Sequence, residues 1–137
     1  MATLKLEIVT PGSKIFEGQV DSVLLPGVEG EMQILPQHET LVSELNAGEV
    51  RYVQDGQTHV LAIGEGFAEV TGTSVGILTE GAVHDKDIDE QKAEEAVKRA
   101  EELLKDTSLQ GEELEATQAT LARSLAQINV KRRRRGA

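Results

Sequence analysis

The apolar residues of this 137-residue chain change their spacing near residue 85, from the period of a strand to the period of a helix. Before that point Leu4, Leu6 and Ile8 alternate with polar residues, as a half-buried strand requires. After it, apolar residues recur every three or four positions, on one helical face. The change predicts an α+β fold with segregated parts: a β-sandwich or flattened barrel over residues 1–84, then an antiparallel two-helix hairpin within residues 85–137.

Glycine-containing turns divide the first part into short strands. The predicted strands lie near residues 4–8, 20–25, 32–34, 50–54, 57–63, 67–70 and 75–78. Asp55-Gly56 separates two alternating runs, which is a strong signal for a two-residue type I′ hairpin turn. Many short strands joined by regular turns are typical of a sandwich or barrel.

Two helices are predicted in the second part, over about 88–104 and 112–130. Asp87 and Glu90 fit a capping box, in which side chains bond the free amides at a helix start. The expected apolar positions are Ala93, Ala96, Val97, Ala100, Leu103, Leu104, Leu114, Leu121, Leu125 and Ile128. Because a lone hairpin buries its larger apolar side chains only partly and ordering entropy offsets most of that gain, we expect a hairpin that stays helical but packs weakly, so that it could repack on another surface.

The charge is unevenly distributed along the chain. Residues 1–85 hold three Lys or Arg against thirteen Asp or Glu, whereas residues 131–135 are all basic. An acidic body argues against nucleic-acid binding, because affinity for DNA comes largely from phosphate neutralisation. The basic tail has two open interpretations, a solvated and fraying terminus or a contact for an acidic partner.

Several classes of site and location are disfavoured. The chain has no cysteine, which removes disulfides and zinc–thiolate sites, and its three histidines lie far apart in sequence, so no metal site is predicted. The run of Glu29, Glu31, Glu39 and Glu44 lacks an accompanying nucleophile, so a solvated acidic face is favoured over a catalytic pair. No stretch approaches the roughly 20 apolar residues of a membrane-spanning helix, so we expect an intracellular, soluble chain.

Three stretches then point to a family. They are Gly30-Glu31-Met32-Gln33-Ile34-Leu35-Pro36-Gln37-His38, then Gly66-Phe67-Ala68-Glu69-Val70 with Val75-Gly76-Ile77-Leu78, and finally Asp87-Ile88-Asp89. In this order and spacing they make the chain similar to the epsilon subunit of bacterial F-type ATP synthases over nearly its whole length. Gln33, Gln37 and Glu65 stand where that family usually has glycine, which affects local loop shape rather than the fold.

The resemblance implies a non-catalytic rotor subunit of a proton-translocating ATP synthase, peripheral on the cytoplasmic face of the bacterial plasma membrane. The family's sandwich couples the gamma subunit to the c-ring, and its hairpin inhibits ATP hydrolysis by extending towards the catalytic β subunits. Carried over by position, Glu31 and His38 would face the c-ring. The remaining predicted interface residues, for the extended state, are Arg123, Lys131, Arg132, Arg133, Arg134 and Arg135. Alternatives from other classes are a basic-tailed nucleic-acid adaptor, a free-standing enzyme and a free-standing binding module.

Some members of that family bind ATP on the hairpin. The matching positions here are Ile88, Asp89 and Lys92, and Lys92 replaces an arginine whose planar fork of donors a lysine cannot offer. The competing interpretation is that Asp89 only favours the positive end of a helix. No other cofactor, no metal and no catalytic residue is predicted.

Overall fold

The computed structural model describes the backbone of residues 2–136 and the side chains as far as Arg133. Strands come first, followed by a short 3-10 turn at Asp85–Asp87 and two helices. The strands are β1 (Leu4–Thr10), β2 (Ser13–Val20), β3 (Ser22–Gly27), β4 (Gly30–Ile34), β5 (Leu41–Leu45), β6 (Gly48–Gln54), β7 (Gln57–Ile63), β8 (Gly66–Val70), β9 (Ser74–Thr79) and β10 (Ala82–His84). The helices are α1 (Glu90–Leu104) and α2 (Gly111–Gly136). The predicted fold class is therefore confirmed.

The strands form one continuous sheet that folds back on itself. Its order is β10-β7-β6-β3-β5-β8-β9-β1-β2, and β4 pairs with β3 beside this path. The β1–β9 pair is parallel, and the other paired strands run antiparallel. Near its open side the Asp21 amide donates to the Val53 carbonyl over 2.7 Å, and the rings of Phe16 and Tyr52 lie 4.5 Å apart. These contacts bring β2 close to β6 and give the sheet its flattened-barrel shape.

The interior of the barrel is almost entirely aliphatic. Leu4, Leu6 and Ile8 of β1 are fully buried, and Ile77 of the neighbouring strand is buried with them. Because successive side chains of a strand point to opposite faces, this inward set is the alternating set that the sequence pattern marks. Leu61 and Ile63 belong to the same core from the opposite side of the barrel.

The helical hairpin lies on the outside of the barrel. Helix α2 packs against β6 and β7 and also against α1, so it is the layer between the sandwich and the first helix. Ala93 and Ala100 of α1 are buried, and these small side chains allow the two helices to approach closely. The turn between the helices is closed by Asp106, whose carboxylate accepts bonds from the amide and hydroxyl of Ser108.

The strand predictions were correct for the hairpins and missed the strand over residues 13–20. The Asp55-Gly56 turn has φ of +52° and +78°, as a type I′ turn requires, and β8 and β9 form the second predicted hairpin. The predicted strand over 20–25 corresponds to β3 with shifted ends, because Val20 belongs to β2, the chain turns at Asp21 and β3 continues to Gly27. Strands β2, β5 and β10 were not predicted at all, because exposure or shortness leaves them without a clear alternation.

The predicted helix ends also need correction. The first helix begins at Glu90 rather than 88, and its cap is Asp89, whose Oδ1 accepts the Lys92 amide over 3.1 Å. The proposed capping box is wrong, because Asp87 lies in the preceding 3-10 turn. The second helix continues beyond residue 130 to Gly136, so the basic run is part of it.

The predicted apolar faces of the helices are only partly buried. Leu103 and Leu125, both assigned to those faces, are 53% and 41% exposed. Ile128 of the predicted face is buried as expected, and Ala126 and Val130, which were not assigned to it, are buried as well. Helix α2 must satisfy two neighbours at once, so its buried positions do not form one simple stripe.

Candidate partner-binding surfaces

The hairpin meets the sandwich through a small apolar cluster that is separate from the barrel core. Val60 and Ala62 on the outer face of β7 pack with Ile88 and with Val130 near the end of α2. Val83 of β10 packs against the edge of this cluster. The sequence carries a signal for it, since Val60-Leu61-Ala62-Ile63 is an unbroken apolar run, as expected for a strand buried on both faces.

The end of α2 is held to the beginning of α1 by ion pairs. The Arg132 guanidinium lies 3.3 Å from Oε2 of Glu90 through Nε and 2.9 Å from Oε1 of Glu94 through Nη2. Hydrogen bonds to Glu90 and then to Glu94 raise the pKa of Arg132 above its ordinary value. Arg132 is therefore engaged within the chain when the hairpin is folded.

The residues on either side of Arg132 contact the sandwich and the 3-10 turn. Nζ of Lys131 donates to the Asp85 carbonyl over 3.1 Å, and Nη1 of Arg133 lies 3.5 Å from Oε1 of Glu49 on β6. The other oxygen of Glu49 accepts from Arg51. The side chains of the predicted interface residues Arg134 and Arg135 lie outside the described residues.

Arg123 lies against two turns of the sandwich. A Cβ added at Gly64 or at Gly81 would stand 3.5 Å or 3.4 Å from Cδ of Arg123, so both glycines leave room for its stem. Glu65 and Glu80 border the same groove, which gives the Arg123 guanidinium acidic surroundings. Like the basic run, Arg123 lies against other parts of the chain when the hairpin is folded. Its role towards a partner stays a prediction.

Glu31 and His38 are not brought together. Glu31 is exposed near the start of β4, opposite Pro26 of β3, and it borders the groove between α2 and the sheet. His38 follows the other end of β4, where its Nδ1 lies 2.7 Å from the Glu39 carbonyl oxygen. The chain turns just before it at Gln37, which has φ of +70° although it is not a glycine. Their contact with a partner stays a prediction. A single partner surface that contacts both residues would have to extend along the whole of β4.

Large apolar side chains are exposed on the face of the barrel that the hairpin leaves uncovered. Phe67 of β8 and Leu78 of β9 are paired neighbours, each 53% exposed, and Val42 of the adjacent β5 is 71% exposed. With Val28 they form what we call the outer apolar patch, which is bordered by Glu44, Glu65 and Glu80. This surface was not predicted from the sequence. Its signal is the Gly-Phe-Ala and Ile-Leu steps, which place apolar residues on both faces of a strand.

The residues proposed for ATP have structural roles in the folded chain. Ile88 is buried in the cluster between hairpin and sandwich, and Asp89 is the helix cap. Lys92 is exposed, and its backbone amide is the group that Asp89 caps. Among the described residues, no group of three His, Asp or Glu side chains is placed to hold a metal ion.

Neither helix, in the part of the chain that the structure describes, holds an apolar stretch long enough to cross a bilayer.

Comparison with known families accounts for both parts of the fold. Residues 3–85 match the ATP synthase delta/epsilon chain, beta-sandwich domain, and residues 86–132 match the ATP synthase delta/epsilon chain, long alpha-helix domain. The chain belongs to the ATP synthase delta/epsilon family.

Individual relatives of this family agree in length. The ATP synthase epsilon chain of Dehalococcoides mccartyi is 39% identical over 135 residues, which cover 98% of this chain and 96% of that relative. The epsilon chain of Halalkalibacterium halodurans is 37% identical over 95% of this chain and 98% of its own length. The resemblance to the bacterial epsilon subunit is therefore confirmed, and with it the prediction of a non-catalytic rotor subunit of an ATP synthase.

Two solved structures support the same conclusion at the level of the fold. A chain from the Euglena gracilis mitochondrial ATP synthase, in a structure of OSCP, F1 and the c-ring, matches with a TM-score of 0.74 and 26% identity. That match covers 92% of this chain and 79% of the other. A chain from the central stalk and c-ring of the Tetrahymena thermophila enzyme matches with a TM-score of 0.56 over 95% and 94% of the two chains, at 12% identity. The chain is thus a peripheral subunit associated with the ATP synthase complex.

Proposed function

We propose that this chain couples the gamma subunit to the c-ring in the central stalk and that its hairpin brakes ATP hydrolysis by leaving the sandwich. The observation that supports the inhibition of ATP hydrolysis is the position of the hairpin. It lies outside a barrel whose core is already complete, and it is attached through the small cluster of Val60, Ala62, Ile88 and Val130. A unit attached in this way can detach without unfolding the barrel, which is what a mobile brake requires.

The outer apolar patch is the proposed docking surface for gamma. Exposed apolar patches on a folded domain mark interaction sites, because leaving several large side chains in water is unfavourable. Phe67 and Leu78 are paired across β8 and β9, and Val42 lies on the adjacent β5 two positions from Glu44, the residue paired with Phe67. The glutamates at the border of the patch favour a basic rim on the partner surface.

The c-ring contact is proposed for the loops and strand ends around Glu31 and His38, following the family resemblance. Glu31 is exposed, so its carboxylate is available to a basic or hydrogen-bonding loop of the c subunits. With this contact we infer a position at the cytoplasmic face of a bacterial plasma membrane, with membrane contact only through the complex. Proton translocation itself would use sites on other subunits.

Extension supplies the reach that a brake needs. The 15 residues of α1 span about 22 Å, and the 26 residues of α2 span about 39 Å, at about 1.5 Å per residue. Placed end to end, the two helices would reach roughly 60 Å from the sandwich, far enough to meet the catalytic β subunits. Arg123 and the basic run would then lie along the exposed rod, available to acidic segments of those subunits.

The brake is tested in the reconstituted ATP synthase. Removal of residues 86–137 is expected to raise the rate of ATP hydrolysis, and an unchanged rate would remove the inhibitory role.

Truncation also exposes Val60 and Ala62 to water, so a second variant keeps the hairpin in place. Because the chain has no cysteine, Glu49→Cys with Arg133→Cys allows a short bismaleimide cross-link between side chains that are in contact when the hairpin is folded. The cross-linked complex is expected to hydrolyse ATP faster than the same variant before cross-linking.

Binding of ATP at Ile88, Asp89 and Lys92 stays a prediction. ATP would have to bind these residues while Asp89 caps α1 and Ile88 is packed in the cluster between the hairpin and the sandwich. Titration of the isolated chain with ATP tests it, and Lys92→Arg is expected to tighten binding because a guanidinium offers a planar fork of donors. Equal, negligible heat from both proteins would contradict it.

A further inference from the structure

We propose that Glu49, Glu90 and Glu94 form an internal acidic clamp that holds the basic end of α2 and competes for it with an acidic surface of a partner protein. The clamp regulates the hairpin movement proposed above, and its importance for the enzyme rests on that proposal. Its existence, however, can be tested in the isolated chain.

The clamp joins three separate elements of the fold. Arg132 bridges from α2 to Glu90 and Glu94 on α1, with contacts of 3.3 Å and 2.9 Å. Arg133 reaches from α2 to Glu49 on β6 over 3.5 Å. None of these pairs is local in sequence, so each is made only when the end of α2 lies on the sandwich beside the start of α1.

Two of the acidic partners are shielded from water. The side chain of Glu49 is 11% exposed and that of Glu90 is 19% exposed, whereas the arginines are more open. An ion pair with a partly buried carboxylate is screened less by salt than a fully exposed pair. Glu49 is also fixed by Arg51, which binds its other oxygen and leaves Oε1 directed to Arg133.

Release of the hairpin breaks the contact with Glu49 and, when the helices separate, the contacts with Glu90 and Glu94. A charged partner that replaces them must therefore offer carboxylates of its own to the same guanidinium groups. Ion pairs within the chain are then exchanged for ion pairs with the partner, so the free-energy difference between the folded and the open hairpin changes little. A modest further effect can then shift the populations of the two states. The partner that fits this surface is an acidic protein segment long enough to meet Lys131, Arg132 and Arg133 together.

The test measures the distance between the hairpin turn and the sandwich in the full-length chain. Spin labels on Glu80→Cys and Glu112→Cys, two exposed positions that border the same groove when the hairpin is folded, give a short distance in that state and longer ones when the hairpin is open. The clamp variant carries Glu49→Gln, Glu90→Gln and Glu94→Gln. Its control carries Glu7→Gln, Glu17→Gln and Glu102→Gln, which remove ion pairs with Lys14 and Lys105 that do not involve α2.

We expect the ratio of open to folded hairpin to rise about tenfold in the clamp variant, because each exposed pair contributes a factor of roughly 1.5 to 5. The control variant should match the unmodified chain. Salt gives an independent check: at about 1 M salt, where the Debye length is near 3 Å, the unmodified chain should open part of the way towards the clamp variant, because the partly buried pairs are screened incompletely. A clamp variant that stays as closed as its control overturns the proposal.

Competition is tested with a synthetic oligoglutamate peptide. The clamp variant is expected to bind it roughly tenfold more tightly than the unmodified chain, and a variant with Lys131→Gln, Arg132→Gln and Arg133→Gln should lose that binding. Equal affinity of the clamp variant and the unmodified chain overturns the competition. If the clamp variant opens but truncation at residue 86 leaves ATP hydrolysis unchanged, the clamp stands and the brake fails. If the variant stays closed while truncation raises hydrolysis, the brake stands and the clamp fails.

Discussion

Val130 of α2 and Val60 of β7 are buried in one cluster on the outside of the barrel, with 3% and 8% of their surfaces exposed. The barrel core, which includes Leu6 and Leu61, is a separate cluster on the other side of the same sheet. The two clusters share β7 but no side chain. Docking of the hairpin and folding of the barrel can therefore be perturbed independently.

Val130→Ala should loosen the hairpin without unfolding the barrel. Removing two methyl groups from a buried site costs about 1–2 kcal/mol, and this loss falls on the docked state alone. Amide hydrogen exchange is expected to speed up along α2 while the amides of β1 and β9 are unaffected. Leu103→Ala, at a position 53% exposed, is the control and should change neither. Equal acceleration in the barrel would show that the two clusters are one cooperative unit.

Leu6→Ala should destabilise both the barrel and the hairpin. Leu6 is fully buried in the barrel core, where a Leu→Ala change typically costs 2–5 kcal/mol through lost contacts and an unfilled cavity. Because the hairpin docks on the folded barrel, both parts are expected to lose protection together. Urea denaturation followed by circular dichroism measures the loss, and a midpoint within error of the unmodified chain would contradict the assigned core.

Gly56→Ala should destabilise the β6–β7 hairpin. Gly56 has φ of +78°, a left-handed conformation that costs an L-residue about 1–2 kcal/mol. Space is not the cause, since a Cβ there would have nothing within 4 Å. Gly12→Ala is the matched control, because that turn position is equally open and does not have positive φ. The thermal melting temperature is expected to fall for Gly56→Ala only. An equal fall for Gly12→Ala would show that the positive φ of Gly56 is not the cause.

The turn between the helices should weaken in acid. Hydrogen bonds from the hydroxyl and then the amide of Ser108 lower the pKa of the Asp106 carboxyl below its ordinary value. A group with a lowered pKa in the folded state stabilises that state above its unfolded pKa, and the effect is lost as the pH falls through the folded pKa. Ser108→Ala removes the hydroxyl donor and should raise the pKa of Asp106 part of the way back. Carboxyl chemical shifts followed through an acid titration would show no difference if the hydroxyl had no role.

Local chemistry explains which parts of the fold could be predicted from the sequence. The Asp55-Gly56 turn is specified by residues that tolerate positive φ, and the helices by a period that survives over many residues. Strand β2 was missed because its exposed edge position removes the alternation that marks a strand. Leu125 was misassigned because α2 packs against both α1 and the sheet, and a single stripe cannot describe two contacts.

The candidate surfaces were predictable only in part. The basic run is plain in the sequence, but its partner Glu49 lies on β6, far away along the chain, and only the folded structure pairs it with Arg133. The outer apolar patch depends on the pairing of Phe67 with Leu78 and on which face the hairpin covers. Both are long-range properties that period and composition do not encode.

The outer apolar patch leads to the last prediction, which concerns the gamma subunit. Phe67→Glu would place a charge at the centre of the patch, beside Leu78 and opposite Glu44 on the paired strand. Burying that carboxylate against a partner is unfavourable, because a buried charge without a counter-charge loses its hydration. The isolated variant should fold normally, since position 67 is 53% exposed.

Affinity for purified gamma is expected to fall at least tenfold in Phe67→Glu, measured by titration calorimetry. The matched control is Leu103→Glu on α1, because Leu103 is also 53% exposed and lies on the hairpin instead of the patch. A lower affinity in both variants would point to the added charge and not to the position. An unchanged affinity in Phe67→Glu would place the gamma contact elsewhere on the barrel, since a docked partner could not leave the exposed centre of this patch in water.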